Sequence, residues 1–449
     1  MRAVWISTVC GVLACSPTAS TTEYARFADG DGGGGAAAAA DASTGSNDAR
    51  PGPDARAAEA DAGGPTVDAR ASGPDAAGTP EADAAVAPGP DAALAPGVDA
   101  ALAPRVDAAQ SPAPDAGPGV DDRCPGRAPD PAERPAVTRW IADLTGTRTS
   151  SGAFGVGGTD LGIPVRQPDG QIAYVFGDTF EEDRAGGPGW RSPVLLRSPP
   201  GLGPDGIVFT SAAGGQYARQ ILDYDHADPE FSTWLPSDVI TLGGRMYLHF
   251  IVNAGLGNVR WTQIAYSDDN GEHWALSDAR WAADEDGSLR QLWTWERGCD
   301  GYVYTLSTSF IDRSHPIILH RVPEDRLLDR NAYEPWGFRD GRWAWGQPPT
   351  PVLDGRFGEL SLRRVEEKWV LSWFNAADYD ITVKVFDSPT SNLYEARTYK
   401  PVTGAMLPQL YGGYIHPDST LANLHLIVSQ WNTADGWPYR ATQWVTSVR

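Results

Sequence analysis

One strand-like phrase recurs along the last three-quarters of this chain. Gly170-Gln-Ile-Ala-Tyr-Val-Phe-Gly177 resembles Gly244-Arg-Met-Tyr-Leu-His-Phe250 and Gly301-Tyr-Val-Tyr-Thr-Leu-Ser307. Looser copies stand at Glu367-Lys-Trp-Val-Leu-Ser-Trp373 and Asn423-Leu-His-Leu-Ile-Val-Ser-Gln-Trp431. With Tyr174, Tyr247, Tyr304, Val370 and Leu426 as anchors, the spacings are 73, 57, 66 and 56 residues. Each copy is an apolar, β-branched or aromatic run of the kind buried on both faces. Apolar residues at helical spacing over three turns are almost absent. Five units of about sixty residues, each able to form one four-stranded sheet, predict an all-β fold, a five-bladed β-propeller. A β-sandwich would not repeat one strand at this period. The strands Trp140 to Leu144 and Ala441 to Val448 are expected to meet and close the ring.

The residues that could build such a core are confined to one region. All 17 tryptophans except Trp5 lie at or beyond Trp140, so the folded domain is placed at 123–449, ample for a large core. Residues 15–122 collapse instead to Ala, Pro, Gly and Asp, with Pro-Asp-Ala-Ala or Val-Asp-Ala-Ala recurring from Pro90, Val98 and Val106. Such a segment cannot offset the entropy of ordering, and is expected to be a disordered Ala/Pro/Asp-rich tether with a reach of roughly 50–60 Å. The stretch from Glu23 to Arg123 holds 18 acidic and 6 basic residues, about half of the net charge of −22. That acidity argues against a nucleic-acid partner, because phosphate binding needs a positive surface.

The first 14 residues read as an export signal, with Arg2 before an apolar stretch, Val4 to Ala14, too short to span a bilayer. Val12-Leu13-Ala14-Cys15 resembles a bacterial lipobox, which makes Cys15 a lipidation candidate and an outer-membrane or cell-surface lipoprotein the expected form. Ser16 is not the aspartate that would favour inner-membrane retention. An ordinary secretory signal is the alternative. Cys124 and Cys299 are then left, either as one disulfide joining tether to domain or as two separate thiols.

Ser267-Asp-Asp-Asn-Gly-Glu-His-Trp274 resembles the Asp-box hairpin of sialidases and other propellers, with His273 in place of the usual threonine. That motif is structural and supports the fold. Gly201-Leu-Gly203-Pro-Asp-Gly206 matches a dinucleotide motif in letters only, since a strand follows where a helix N-terminus is required. Walker lysine, His-Glu-x-x-His, Cys-x-x-Cys and Gly-x-Ser-x-Gly motifs are missing from the sequence. No cofactor and no metal are demanded by what remains.

What remains is carboxylates and aromatics. Asp160 in Gly-Thr-Asp-Leu-Gly and Asp178 in Gly-Asp-Thr-Phe stand at opposite ends of one strand-turn-strand unit, flanked by small residues that let a ligand approach the backbone. Two such carboxylates together are the minimum equipment for splitting a glycosidic bond. Asp238 and Glu359 are further acidic candidates in turn-like settings. Trp190 and Arg191 offer an indole face and a guanidinium for a sugar. Tyr411, Tyr414 and His416 are expected to form a loop lining the same face. Asp223, Asp225, His226 and Asp228 read as a solvated loop with Asx-turns, with substrate or metal contact as the alternative.

The series Gly-Thr-Asp-Leu-Gly-Ile-Pro, Phe-Gly-Asp-Thr-Phe, Trp-Arg-Ser and Phe-Gly-Glu-Leu resembles glycoside hydrolase family 183, bacterial endo-D-arabinofuranases. The resemblance runs from about Val137 onward. It implies a five-bladed propeller that cleaves internal α-D-arabinofuranosyl bonds of D-arabinan, as in arabinogalactan and lipoarabinomannan, with the acid pair on Asp160 and Asp178. No protein partner is implied. Two other readings stay open: a non-catalytic carbohydrate-binding propeller, and a propeller glycosidase of other specificity, such as a sialidase using Arg191, Arg197 and Arg363.

Overall fold

The computed structural model describes residues 129–449. The export signal, Cys15, the tether and Cys124 lie outside the described residues. The first strand, β1 (Arg139–Asp143), belongs to the last sheet. Blade one follows as β2 (Gly158–Arg166), β3 (Ile172–Phe180), β4 (Val194–Ser198) and β5 (Ser211–Ala212). Blade two is β6 (Thr233–Leu242), β7 (Arg245–Asn253), β8 (Val259–Ser267) and β9 (Ala275–Ala282). Blade three is β10 (Leu292–Arg297), β11 (Tyr302–Thr308), β12 (Ile318–Pro323), β13 (Glu334–Arg339) and β14 (Arg342–Trp345). Blade four is β15 (Phe357–Val365), β16 (Lys368–Asn375), β17 (Asp380–Phe386) and β18 (Arg397–Thr403). Blade five is β19 (Leu410–Ile415), β20 (Leu424–Trp431), β21 (Tyr439–Thr446) and the returning β1.

The five-bladed propeller is thus the fold, and the recurring phrase is its second strand. Tyr174, Tyr247, Tyr304, Val370 and Leu426 fall on β3, β7, β11, β16 and β20. Those strands are paired on both edges and covered on both faces, which is why their apolar runs are nearly continuous. β1 pairs antiparallel with β21 in the register Trp140↔Trp444, so the two ends close the ring as expected. Blade three departs from the four-strand expectation by carrying a fifth strand, β14.

The innermost strands β2, β6, β10, β15 and β19 surround the axis. Side-chain hydroxyls tie them across blades. Ser429 Oγ accepts from Leu161 N at 2.9 Å, Ser237 Oγ accepts from Trp293 N at 2.7 Å, and Thr294 Oγ1 accepts from Leu362 N at 2.6 Å. The axis itself is filled by Arg363. Its guanidinium makes two bonds to Asp238, at 2.7 and 2.9 Å, and also reaches the carbonyls of Pro164, Trp295 and Leu362. One side chain of blade four therefore fastens blades one, two and three.

The Ser267–Trp274 turn lies between β8 and β9, far from the axis. Ser267 Oγ accepts from Gly271 N, Asp269 Oδ1 accepts from His273 N at 2.8 Å, and Trp274 Nε1 donates to Gly271 O. The His273 ring bonds the other Asp269 oxygen at 2.7 Å, where a threonine hydroxyl would otherwise serve. The motif is a structural hairpin, as its letters implied.

Candidate active site

Antiparallel pairing brings the start of β2 and the end of β3 to the same rim, and there the ladder breaks. Thr159 pairs with Thr179 and Leu161 with Phe176, so Asp160 alone opposes both Gly177 and Asp178. This is a β-bulge, and bulges re-aim side chains at such sites. Leu161 and Gly162 follow with φ of 64° and 75°, and a second irregularity lies between Leu161 and Ile163. Gly177 is required by contact: a Cβ there would stand 2.3 Å from Asp160 Oδ1. Beneath the bulge the Thr159 and Thr179 hydroxyls share a 2.7 Å hydrogen bond. The same device recurs at three other inner strands. Registers shift between Pro236 and Asp238 on β6, between Phe357 and Leu360 around Glu359 on β15, and between Tyr411 and Gly413 on β19.

Asp160 and Asp178 have different surroundings. The Tyr411 hydroxyl donates to Asp160 Oδ2 at 2.8 Å, and the Tyr439 phenol also hydrogen-bonds this carboxyl. Oδ1 is shut off from solvent with no hydrogen-bond partner among the described residues. Burial first, then the charge of Asp178, push the Asp160 carboxyl up to about 8, against the lowering effect of the two phenols. Both effects favour the protonated form of Asp160. Asp178 accepts from Trp190 Nε1 at 2.9 Å. Burial raises its pKa as well, while the Trp190 and Ser192 hydrogen bonds favour its charged form. The two neighbouring carboxyls thus differ in their donors: Asp160 has none on Oδ1, whereas Asp178 has an indole N–H that favours its charged form.

The remaining sequence candidates separate into those at the rim and those beneath it. Glu359 joins the pair electrostatically, adding to the upward push on Asp160. Its own oxygens are held by Arg313 Nη2 at 3.0 Å and by Gly412 N at 3.3 Å. Asp238 is fully buried against Arg363, Thr294 Oγ1 and Trp295 N, in the axial plug. Tyr411 and Tyr414 are on β19, so this stretch is an inner strand and not the expected loop. Tyr414 is buried on the axis, where burial and then the charges of Glu359, Asp238 and Asp160 hold its phenol well above the usual range. His416 follows the far end of β19 and is buried, bonded to Tyr174 OH at 2.9 Å, with burial lowering its pKa to about 3. It is on the opposite side of the ring from Asp160.

Arg191 is buried, and its guanidinium serves the backbone. It donates to Ala218 O at 2.6 Å, Gly189 O at 2.6 Å and Gly155 O at 2.5 Å, with the Tyr217 ring 4.2 Å away. Arg197 is bonded to Asn270 O and to Glu272 beside the Asp-box turn. With Arg363 committed to Asp238, the three arginines do not converge on one anion site. Cys299 lies in the turn between β10 and β11, accepts from Arg364 Nη1, and has no disulfide partner among the described residues.

Sequence reasoning missed part of the wall. Asp225 and Asp228 cap their own loop as Asx-turns, at 2.8 Å to Ala227 N and Glu230 N. His226 between them turns inward and lies on Trp190, ring centroids 3.9 Å apart, with Nε2 held by Gln220 Oε1 at 2.8 Å. Tyr224 and Trp234 continue the wall in parallel stacking at 4.8 Å. Tyr439 carried no local signal, since it reaches Asp160 only through the closure of the ring. A cavity of about 890 Å³ opens elsewhere, lined by Glu133, Arg139, Pro200, Glu366, Asp418 and His425, on the His416 side. No group of three or more His, Cys, Asp or Glu that could hold a metal occurs among the described residues.

The profile of the family described as Domain of unknown function (DUF4185) matches residues 145–445. Notoamide biosynthesis cluster protein J' of Aspergillus versicolor is 35% identical over 320 residues, 65% of this chain and 86% of that protein. An uncharacterized 35.9 kDa protein of Mycolicibacterium smegmatis is 31% identical over 333 residues, 68% of this chain and 97% of that protein. Among solved structures, a GH43_1 enzyme from Xanthomonas citri superposes with a TM-score of 0.43 at 11% identity, covering 69% of this chain and 90% of that one. The α-L-arabinofuranosidase PaAbf62A of Podospora anserina gives 0.41 at 11% identity, covering 70% and 98%.

Proposed function

Because this chain belongs to the DUF4185 family, whose description names no activity, we propose its function from the site: an endo-acting glycoside hydrolase of D-arabinan. The observation that carries this is the Asp160 and Asp178 pair, set at one bulge, with burial raising both carboxyls and the charge of Asp178 raising Asp160 further. Asp160 is the general acid. Its proton goes to the leaving glycosidic oxygen as that bond breaks. Asp178, beneath the Trp190 N–H that favours its charged form, faces the anomeric carbon, either attacking it or taking a proton from the attacking water. Positive charge developing on the furanosyl ring is stabilised by Asp178 and Glu359, in a rim whose arginines are already committed to protein groups.

The same commitment sets the substrate class. Arg191 and Arg363 are bonded to carbonyls and to Asp238, and Arg313 to Glu359, so an anionic sugar would meet carboxylates without a cationic partner. The substrate is a neutral glycan. The choice of D-arabinan among neutral glycans is supported by the motif resemblance to glycoside hydrolase family 183 around Asp160, Asp178, Trp190 and Glu359. The test is incubation of the whole protein with purified D-arabinan, with Asp160→Asn and Asp178→Asn alongside. A ladder of oligosaccharides lost in both variants is expected; cleavage that survives in either variant removes the acid pair, and no products from folded protein removes the activity.

Export and anchoring through Cys15 belong to the same proposal, placing the enzyme at a surface where it meets polymer. Cys15→Ser should move the protein from the membrane fraction to the soluble one.

A further inference from the structure

An endo-acting enzyme must hold sugar units on both sides of the bond it cuts, and the residues already described account only for the centre. Among the described residues three tryptophans have large exposed surfaces: Trp140, Trp343 and Trp437, the last 60% exposed. Trp140 bonds Asp143 through its Nε1, and Trp343 stacks on Trp336 and meets Phe338 at a tilt. The Trp437 indole meets no other ring among the described residues. Single exposed apolar residues are ordinary on protein surfaces, so exposure alone does not single it out.

Its setting does. Trp437 is at the tip of the connection between β20 and β21, and that tip is held rigidly. Asn432 Nδ2 donates to Trp437 O at 2.8 Å, Asn432 N to Pro438 O at 2.9 Å, and Gly436 N to Asn432 O at 2.8 Å. The tip is also fastened to the connection between β3 and β4, by Ala185 N donating to Gly436 O at 2.9 Å. That second connection ends at Trp190, the donor to Asp178, and Tyr439, two residues beyond Trp437, hydrogen-bonds Asp160. The exposed indole is therefore built onto the two segments that carry Trp190 and Tyr439, which hydrogen-bond Asp178 and Asp160.

We propose that Trp437 is a stacking platform for a neutral sugar unit of the polymer beyond the cleaved bond, a binding subsite on the blade-five side of the rim. The proposal rests on the glycosidase reading of Asp160 and Asp178. A rigid aromatic face on a pinned loop loses little side-chain freedom when a sugar covers it.

The experiment compares wild type, Trp437→Ala, Trp437→Phe and Trp343→Ala, all as whole protein, on D-arabinan. Trp437→Ala is expected to raise KM about tenfold, the effect of one aromatic contact, and to change kcat much less. Trp437→Phe should restore most of the affinity, and Trp343→Ala should match wild type. A Trp437→Ala variant with wild-type KM overturns the proposal, as does an equal loss in Trp343→Ala. A second readout is retardation in a native gel containing D-arabinan, which needs no turnover. Retardation lost in Trp437→Ala supports the platform even where wild type cleaves nothing, an outcome that would sink the glycosidase reading alone. Retardation unchanged in Trp437→Ala, or absent in wild type, overturns the platform.

Discussion

Replacing Asp160 by asparagine should abolish activity and yet stabilise the protein, increasingly so as the pH rises. A carboxyl held at about 8, against an ordinary 3.8, binds its proton more tightly in the folded state than in the unfolded one. Its favourable contribution is fully present below pH 3.8 and is lost as the pH rises through about 8. Each pH unit of that gap is worth about 1.4 kcal/mol, which sets a ceiling of about 6 kcal/mol in strongly alkaline solution. Asp160 keeps partial exposure, and its Tyr411 and Tyr439 bonds relax around the charge, so about 2 kcal/mol between pH 5 and pH 9 is the working figure. Asparagine keeps the size and the acceptor for Tyr411 but never ionises. Thermal melts of both proteins should therefore diverge, the variant gaining about 4 °C on wild type over that pH range. A constant difference from pH 5 to pH 9 would refute the reasoning, because Asp160 would then titrate as an ordinary carboxylate and could not be the acid.

Three further perturbations test the rest of the site. Trp190→Phe keeps a ring against His226 but removes the N–H donor to Asp178, so Asp178 should ionise later and the acidic limb of kcat/KM should move up by roughly one pH unit. Gly177→Ala places a Cβ against Asp160 Oδ1; activity should fall on the order of a hundredfold through a displacement of about 1 Å, with circular dichroism unchanged. Arg363→Leu leaves the Asp238 carboxylate buried without its cation, and chemical denaturation should register a loss of about 3–5 kcal/mol, partly recovered when Asp238→Asn is added.

The fold was legible wherever strands are buried on both faces. The β3, β7, β11, β16 and β20 sequences are continuous apolar runs because neighbouring blades cover them, and one such run per blade announces the repeat. The inner strands hide their nature for a physical reason. β19 reads Leu-Tyr-Gly-Gly-Tyr-Ile and the start of β15 reads Phe-Gly-Glu-Leu, because a bulge needs small residues and breaks the alternation by which strands are recognised. Asp160, Asp178 and Trp190, picked out by the small residues beside the carboxylates, do come together at one rim. The sequence misled at Asp238, Arg191 and His416. A charged or polar side chain reads alike whether it faces a substrate or a partner such as Arg363, 125 residues away, or Tyr174, 242 residues away. Only the closed ring shows which groups have already been neutralised.

That neutralisation is what gives the acid pair its chemistry. A propeller axis left open would fill with water, and water would return Asp160 to the range of an ordinary carboxylic acid. Here the axis below the rim is closed by Arg363, whose donors go to Asp238 and to the carbonyls of blades one, three and four, and by the buried Tyr414. The plug commits its cation to Asp238 and keeps it away from Asp160, so the Tyr411 and Tyr439 phenols, and not a cation, oppose burial and the charge of Asp178. The bulges act in the same direction. They lie at Asp160, Glu359 and Asp238, and with Glu296 on β10 beside Arg363 four of the five inner strands each deliver one carboxylate. Asp238 is bonded to Arg363, Glu359 to Arg313 and Glu296 to Arg297 N, whereas Asp160 has a buried oxygen with no donor among the described residues. On the proposed reading, the general acid is thus chosen by what its neighbours are bonded to, and the arginine in the plug is as much a part of that choice as the aspartate itself.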